Sequence, residues 1–336
     1  MQQTRVVALL GWFVVAVAFG VGLSVFIASS TVLSLLTQAV TYALLALSIG
    51  LLLRQSGLVS FGHAAFYGSA SYLLAILLQS GSVSPGLAIA LSVLGIAVVA
   101  FPVGLIFVRV PGIAFGMLTL AVGQMLYLTA SRVRGLTGGA DGMTVPWPDH
   151  LFGYALATLQ APAPMFVICW SALSIVVFGL SILLRGRFGA VTEAIRDNEE
   201  RARFLGIRTL APRAAVFSIS AGIAALAGVL ASLNTGFISP ENLHWNVSGV
   251  ALMMVVVGGY TRLWGPPLGA IIYFLAKDRL GGFADHWMAI FGCALILTIV
   301  FSPRGLVGLI VRKKRPIPKI KIVSARQHQA GEGSKP

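Results

Sequence analysis

Residues 185–213 read RGRFGAVTEAIRDNEERARFLGIRTLAPR, a charged stretch set between two long apolar runs. Phe188, Val191, Ile195, Ala202 and Leu205 fall on about one third of a helical wheel drawn at 100° per residue. Glu193, Arg196, Asp197, Glu200, Arg201 and Arg203 occupy the other side. Arg196–Glu200, Asp197–Arg201 and Glu199–Arg203 are opposite charges one helical turn apart, each pair worth roughly 0.2–0.5 kcal/mol. Gly206 suits a helix end, and Pro212 forbids continuation. The spacing predicts one short amphipathic helix over 188–205. Such a helix either lies on a membrane surface or docks a partner. Phe204 favours docking, because it sits on the charged side where nothing in this chain would bury it.

The flanks of this stretch identify the solvent. Of 336 residues, 57% are hydrophobic and 10% charged, with mean hydropathy +0.90. Soluble domains carry about 25% charged residues, so a water-soluble fold is excluded. Apolar runs lie at 6–27, 31–53, 63–79, 85–108, 112–131, 164–184, 211–234, 247–260, 264–280 and 286–302. Runs 63–79 and 247–260 are short for a full crossing, which takes about 20 residues. The composition predicts an all-α integral membrane protein, a polytopic bundle of about ten transmembrane helices. Its permease-sized body would cover 1–311, with a tail over 312–336.

The charges set the orientation. With the N-terminus inside and ten crossings, 20 of the 24 Lys and Arg fall inside; Arg132, Arg134, Lys277 and Arg279 fall outside. Nine or eleven crossings break this segregation, so both termini are expected in the cytoplasm. The first run is too long for the apolar core of a cleaved signal peptide and reads as a retained anchor. The loop 132–162 is then external, and 185–210 is cytoplasmic. The net charge of +14 follows from the positive-inside bias rather than from nucleic-acid binding. The tail carries eight basic residues and one Glu, which suits contact with anionic lipid. Cys169 and Cys293 both sit in apolar runs and read as small buried hydrophobes.

The spans hold no mid-helix Asp, Glu, Lys or Arg, which argues against a proton relay or a voltage sensor. The same lack leaves an embedded enzyme without an acid or base; His63, at the start of a run, has no carboxylate near it in sequence. No His, Cys or carboxylate cluster suggests a metal. No phosphate-binding loop of the G-x-x-x-x-G-K-[ST] type is present, so any ATP-driven work must come from another chain.

Several stretches together carry a family resemblance. Within the cytoplasmic segment, Glu199, Ala202 and Gly206 match the Glu-Ala-Ala, three residues, Gly pattern of ABC importer coupling loops, with Glu200 inserted and Arg201 in place of an Ala. Ala194–Glu199, AIRDNE, resembles the AIRENE stretch of branched-chain amino-acid importers. GLVSFGHAAFYG (57–68), TGGADGM (137–143), FSISAGIAALAGVL (217–230), GFISPENLHW (236–245), VVVGGYTRLWGPPLGA (255–270) and FSPRGLVGL (301–309) follow in that family's order. Tyr260 departs from the small residue common there. The chain thus resembles the liv-type inner-membrane permease subunits of branched-chain amino-acid ABC importers, from about residue 50 to 310.

The resemblance implies a transport subunit, not an enzyme, in the bacterial inner membrane. It implies a second homologous permease, two ATP-binding subunits and a periplasmic substrate-binding protein as partners. It implies no cofactor on this chain, with ATP and Mg held by the ATPase. Arg196, Asp197, Asn198, Glu199, Ala202, Phe204 and Gly206 would couple to that ATPase. For the substrate path, the Gly-rich break before run 63–79 offers helix N–H groups to a carboxylate. Ser60, Gly62 and His63 are the candidates there, with Thr119 and Gln124 from the fifth run. The alternative is that these glycines only permit packing and Gln124 satisfies a neighbouring helix. Arg132 and Arg134 either steer the binding protein or snorkel to lipid headgroups. Urea or short amides as cargo, a membrane-embedded enzyme and a stand-alone carrier stay open as competing readings.

Overall fold

The computed structural model describes residues 2–27, 29–147, 150–151, 154–155, 161–281, 287–302 and 305–310. The basic tail 312–336 and much of the stretch 148–160 lie outside the described residues, as do Asp285 and Arg304.

Each apolar run lies on a helix, because a chain in lipid must satisfy its backbone internally. The helices are α1 (Gln2–Phe26), α2 (Ser30–Ser56), α3 (His63–Ser80), α4 (Pro85–Phe107), α5 (Gly112–Arg132) and the single turn α6 (Arg134–Thr137). They continue with α7 (Pro162–Arg185), α8 (Arg187–Asp197), α9 (Glu199–Phe204), α10 (Leu210–Thr235), α11 (Trp245–Gly258), α12 (Gly265–Gly281), α13 (Trp287–Phe301) and α14 (Gly305–Ile310). By length and composition, α2, α4, α5, α7 and α10 are each able to cross a membrane. The molecule is an all-α membrane fold with two minor two-stranded ladders. One pairs Met143–Thr144 with Phe237–Ile238 and ties the connection after α6 to the α10–α11 connection. The other pairs His150–Leu151 with Tyr154–Ala155.

The helices α2 and α10 form the buried centre, and α4, α5 and α7 turn most of their apolar surface outward. In this solvent association depends on close packing rather than on exclusion from water. Small residues provide it: a Cβ at Gly228 of α10 would overlap the Tyr67 carbonyl of α3, and one at Gly269 of α12 would overlap the Met254 carbonyl of α11. The buried hydroxyls of Thr37, Ser48, Ser71 and Ser92 donate to carbonyls three or four residues back, so they cost little in an apolar interior.

Two expectations are corrected. Cys169 is buried, but Cys293 is exposed, because the outer face of α13 has no helix packed over it among the described residues. The amphipathic segment is two helices rather than one helix over 188–205. Asn198 breaks it with extended backbone (φ −160°, ψ 103°), and its side-chain oxygen accepts the Arg201 N–H at 2.8 Å. An Asn at this position caps a new helix more readily than it continues an old one.

Candidate functional site

The break at Asn198 separates two anchorages. Helix α8 is fixed to the end of α2. Thr192 donates to Gln55 Oε1 at 2.7 Å in a buried contact, and Arg196 Nη1 donates to the Arg54 carbonyl at 2.5 Å. Glu193 stands 4.0 Å from Arg54. Helix α9 is fixed to the start of α10 by Glu199. Its carboxylate accepts from Arg203 Nη2 at 2.7 Å, Thr209 Oγ1 at 2.9 Å and Arg213 Nη1 at 2.8 Å. Partial burial acts to raise the Glu199 carboxyl, but the Thr209 hydrogen bond and the guanidiniums of Arg213 and Arg203 outweigh it and hold it below the usual carboxylate range.

The expected ion pairs are therefore mostly replaced. Glu199–Arg203 forms, whereas Arg196 pairs with its neighbour Asp197 at 2.7 Å instead of Glu200. Ile195 and Ala202 are buried as the wheel requires. Leu205 is not: it is 75% exposed beside Phe204 at 91%. Leu205 is the residue after α9 (φ −81°, ψ 7°), so a single wheel running through from Phe188 does not place it. Gly206, at φ +79°, turns the chain back, with its N–H on the Arg203 carbonyl. The outcome is a short apolar tip, Phe204–Leu205, on a firmly tethered element.

The glycine break before α3 is held by side chains from three segments. Thr119 Oγ1 accepts the Phe61 N–H at 3.3 Å, Ser60 Oγ accepts the Gly62 N–H at 3.2 Å, and Ser248 Oγ of α11 accepts the Ala64 N–H at 2.7 Å. The Phe61, Gly62 and Ala64 amides are thus taken by side chains of the same protein. His63 is fully buried at the head of α3. Ser220 donates to the Ser48 carbonyl at 2.6 Å, so at 2.7 Å it must accept from His63 Nε2–H. That bond fixes the tautomer and leaves Nδ1 as an acceptor with no partner among the described residues.

A cavity of about 240 Å³ lies beside this junction, between α3, α4, α5 and α10. Gly62 and Thr119 line it; Ser60, His63 and Gln124 do not. Phe66, Phe107 and Phe217 form an aromatic wall, with Phe66 and Phe217 edge to face at 5.5 Å. Among the lining residues only Ser69 and Thr119 have polar side chains. Gln124 Oε1 is another buried acceptor without a partner among the described residues. Sequence reasoning missed Thr209, Arg213, Phe217, Ser220 and Ser248. Ser220 and Phe217 lie within the family-like stretch 217–230, but the clasp to Glu199 spans 10 and 14 residues and leaves no local signal.

Comparison with known proteins agrees with this geometry. The family described as branched-chain amino acid transport system / permease component matches residues 31–300. The high-affinity branched-chain amino acid transport system permease protein LivM of Salmonella typhimurium is 27% identical, covering 96% of this chain and 78% of its own length. LivH of Escherichia coli (strain K12), named for the same transport system, is 26% identical over 81% of this chain and 92% of its own. The autoinducer 2 import system permease protein LsrC of Salmonella paratyphi B is 29% identical over 84% and 78%. No solved structure matches the chain. With a match across most of its length, helical composition throughout and a tethered tip between its membrane helices, the chain belongs to the family of branched-chain amino acid transport permease components.

Proposed function

We propose that this chain is one of two homologous permease subunits of an ABC importer that moves branched-chain or similar hydrophobic amino acids across the inner membrane. It would cross about ten times with both ends in the cytoplasm, as the segregation of Lys and Arg supports. Two cytoplasmic ATP-binding subunits supply the work, and a periplasmic binding protein delivers the cargo to the face that carries the 132–162 loop. ATP binds to those subunits and does work only through contacts that differ between two states of the permease pair.

The observation that carries this reading is the tip. Phe204 and Leu205 project from an element clasped to α10 by Glu199 and to α2 by Gln55 and Arg54. An exposed apolar pair on a rigid mount suits a groove on a partner. Motion of the tip would move α9 with α10, while α8 stays with α2, the two halves flexing at Asn198. Helix α10 carries Phe217 in the cavity wall and Ser220 on His63, so its movement would reshape the cavity. The scarcity of polar side chains in that wall favours a hydrophobic side chain over urea or short amides. Gln124 and His63 would offer neutral acceptors to the cargo's N–H groups once the path opens.

Co-purification tests the reading. The tagged chain, gently solubilised from its native membrane, should bring an ATP-binding subunit and a second permease, and Phe204→Ser should lose the ATPase while keeping the permease. Recovery of the chain alone, even after crosslinking at the tip, would overturn it.

A further inference from the structure

A second groove, of about 300 Å³, runs between α1, α7 and α12 on the outer surface of the bundle. Its walls are largely aromatic: Trp12, Phe13, Trp170, Phe178 and Trp264 all border it, and Ser181 lies at one end. Trp170 joins α1 to α7, its indole N–H donating to the Ala16 carbonyl at 2.8 Å. Helix α1 lies before the stretch 31–300 matched by the family model, and this groove runs between it and α7 and α12.

The groove has the dimensions and the ends of a lipid slot. From Trp170 to Ser181 along α7 is eleven residues, about 16 Å at 1.5 Å per residue. One leaflet of a bilayer's hydrocarbon core is about 15 Å deep. The Ser181 end opens on the side of the membrane where α8 and α9 lie. Trp264, an interfacial type of residue, stands at that end. Two exposed guanidiniums follow it: Arg262, two residues before Trp264, and Arg185, one turn beyond Ser181. Among the described residues neither has a carboxylate within ion-pair distance. An apolar channel one leaflet long, with Trp264 in its wall and two exposed guanidiniums near its lining residues in sequence, is complementary to one acyl chain under a phosphate.

We propose that this groove binds one anionic phospholipid from the leaflet beside the α8–α9 element, with an acyl chain against Trp12, Trp170 and Trp264 and the phosphate held by Arg262 and Arg185. The lipid would fill the space between α1 and α12 and so join α1 to the helices beside it. This inference is independent of the cargo and of the ATPase, and its failure would leave the import reading standing.

The test uses the purified full chain, delipidated in detergent, titrated with palmitoyl-oleoyl phosphatidylglycerol or phosphatidylcholine and examined by native mass spectrometry. One phosphatidylglycerol per chain should be retained in preference to phosphatidylcholine. Arg262→Gln should weaken retention about tenfold through the loss of one charged contact. Ser174→Phe, which fills the groove and leaves both arginines intact, should abolish retention. Equal retention of the two lipids would overturn the anionic assignment. Undiminished phosphatidylglycerol retention in both variants, with the wild-type elution profile kept, would overturn the site, and so would no retention by the wild type.

Discussion

Replacing Glu199 by Gln isolates the clasp between α9 and α10. The amide keeps an acceptor for Thr209 but removes the charge that holds Arg203 and Arg213. The Arg203 pair is exposed and worth about 0.3–0.5 kcal/mol. The Arg213 contact joins a side chain 14% exposed to one 32% exposed, and a charged hydrogen bond there is worth roughly 1.5–2 kcal/mol after partial screening. Together the loss is about 2 kcal/mol, or a factor of about 30 in the equilibrium between clasped and released α9. Hydrogen exchange reads it directly. Amides of Ala202–Ile207 should exchange about 30-fold faster, while amides in the middle of α10 stay unchanged. The acid dependence has a defined sign. Because the folded carboxyl is held below its unfolded value, the clasp's contribution is fully present above about pH 4.3 and is lost as pH falls through the lower, folded value. Protection in the wild type should therefore be flat from about pH 5 to 8. Unchanged exchange in the Gln variant, or protection lost between pH 5 and 7, would refute the clasp.

Other changes separate tip, hinge, packing and cavity. Phe204→Ser should leave stability within about 0.5 kcal/mol, since the residue is 91% exposed, yet abolish ATPase recovery in pull-downs. Asn198→Ala removes a cap worth about 1 kcal/mol and lets α8 run into α9; ATP hydrolysis by the assembled complex should persist while uptake falls. Gly228→Val drives a side chain into the Tyr67 carbonyl and should cost more than about 3 kcal/mol, seen as loss of monodisperse protein on mild heating. Gly123→Leu places a side chain in the cavity wall, where its Cβ meets only ordinary contacts, Gly62 Cα at 3.6 Å and Ala65 Cβ at 3.9 Å. It should block uptake in vesicles while assembly and thermal stability stay near wild type.

The helices were legible because lipid permits few alternatives: an apolar run such as 211–234 becomes α10 almost residue for residue. The tip was legible for a similar reason, since Phe204 had no place on its own helix to hide. The break at Asn198 was masked by a wheel that runs smoothly through it, because periodicity does not register a capping side chain. Thr119 and Gly62, taken from different parts of the chain, line one cavity. A free helix N-terminus was expected; Thr119, Ser60 and Ser248 accept the amides of Phe61, Gly62 and Ala64 there. Such contacts join residues as far apart as 64 and 248, and only the packed bundle brings them together. Glu199, expected to couple to a partner, also holds Arg213 of its own chain.

Uptake of labelled leucine, isoleucine and valine by cells lacking this chain, restored with wild-type or Phe204→Ser protein, tests the central claim most directly. The expected result is ATP-dependent, binding-protein-dependent uptake that returns with the wild type and not with the variant, although both reach the membrane. Uptake that is unaffected by loss of the chain, or that Phe204→Ser restores in full, would contradict it.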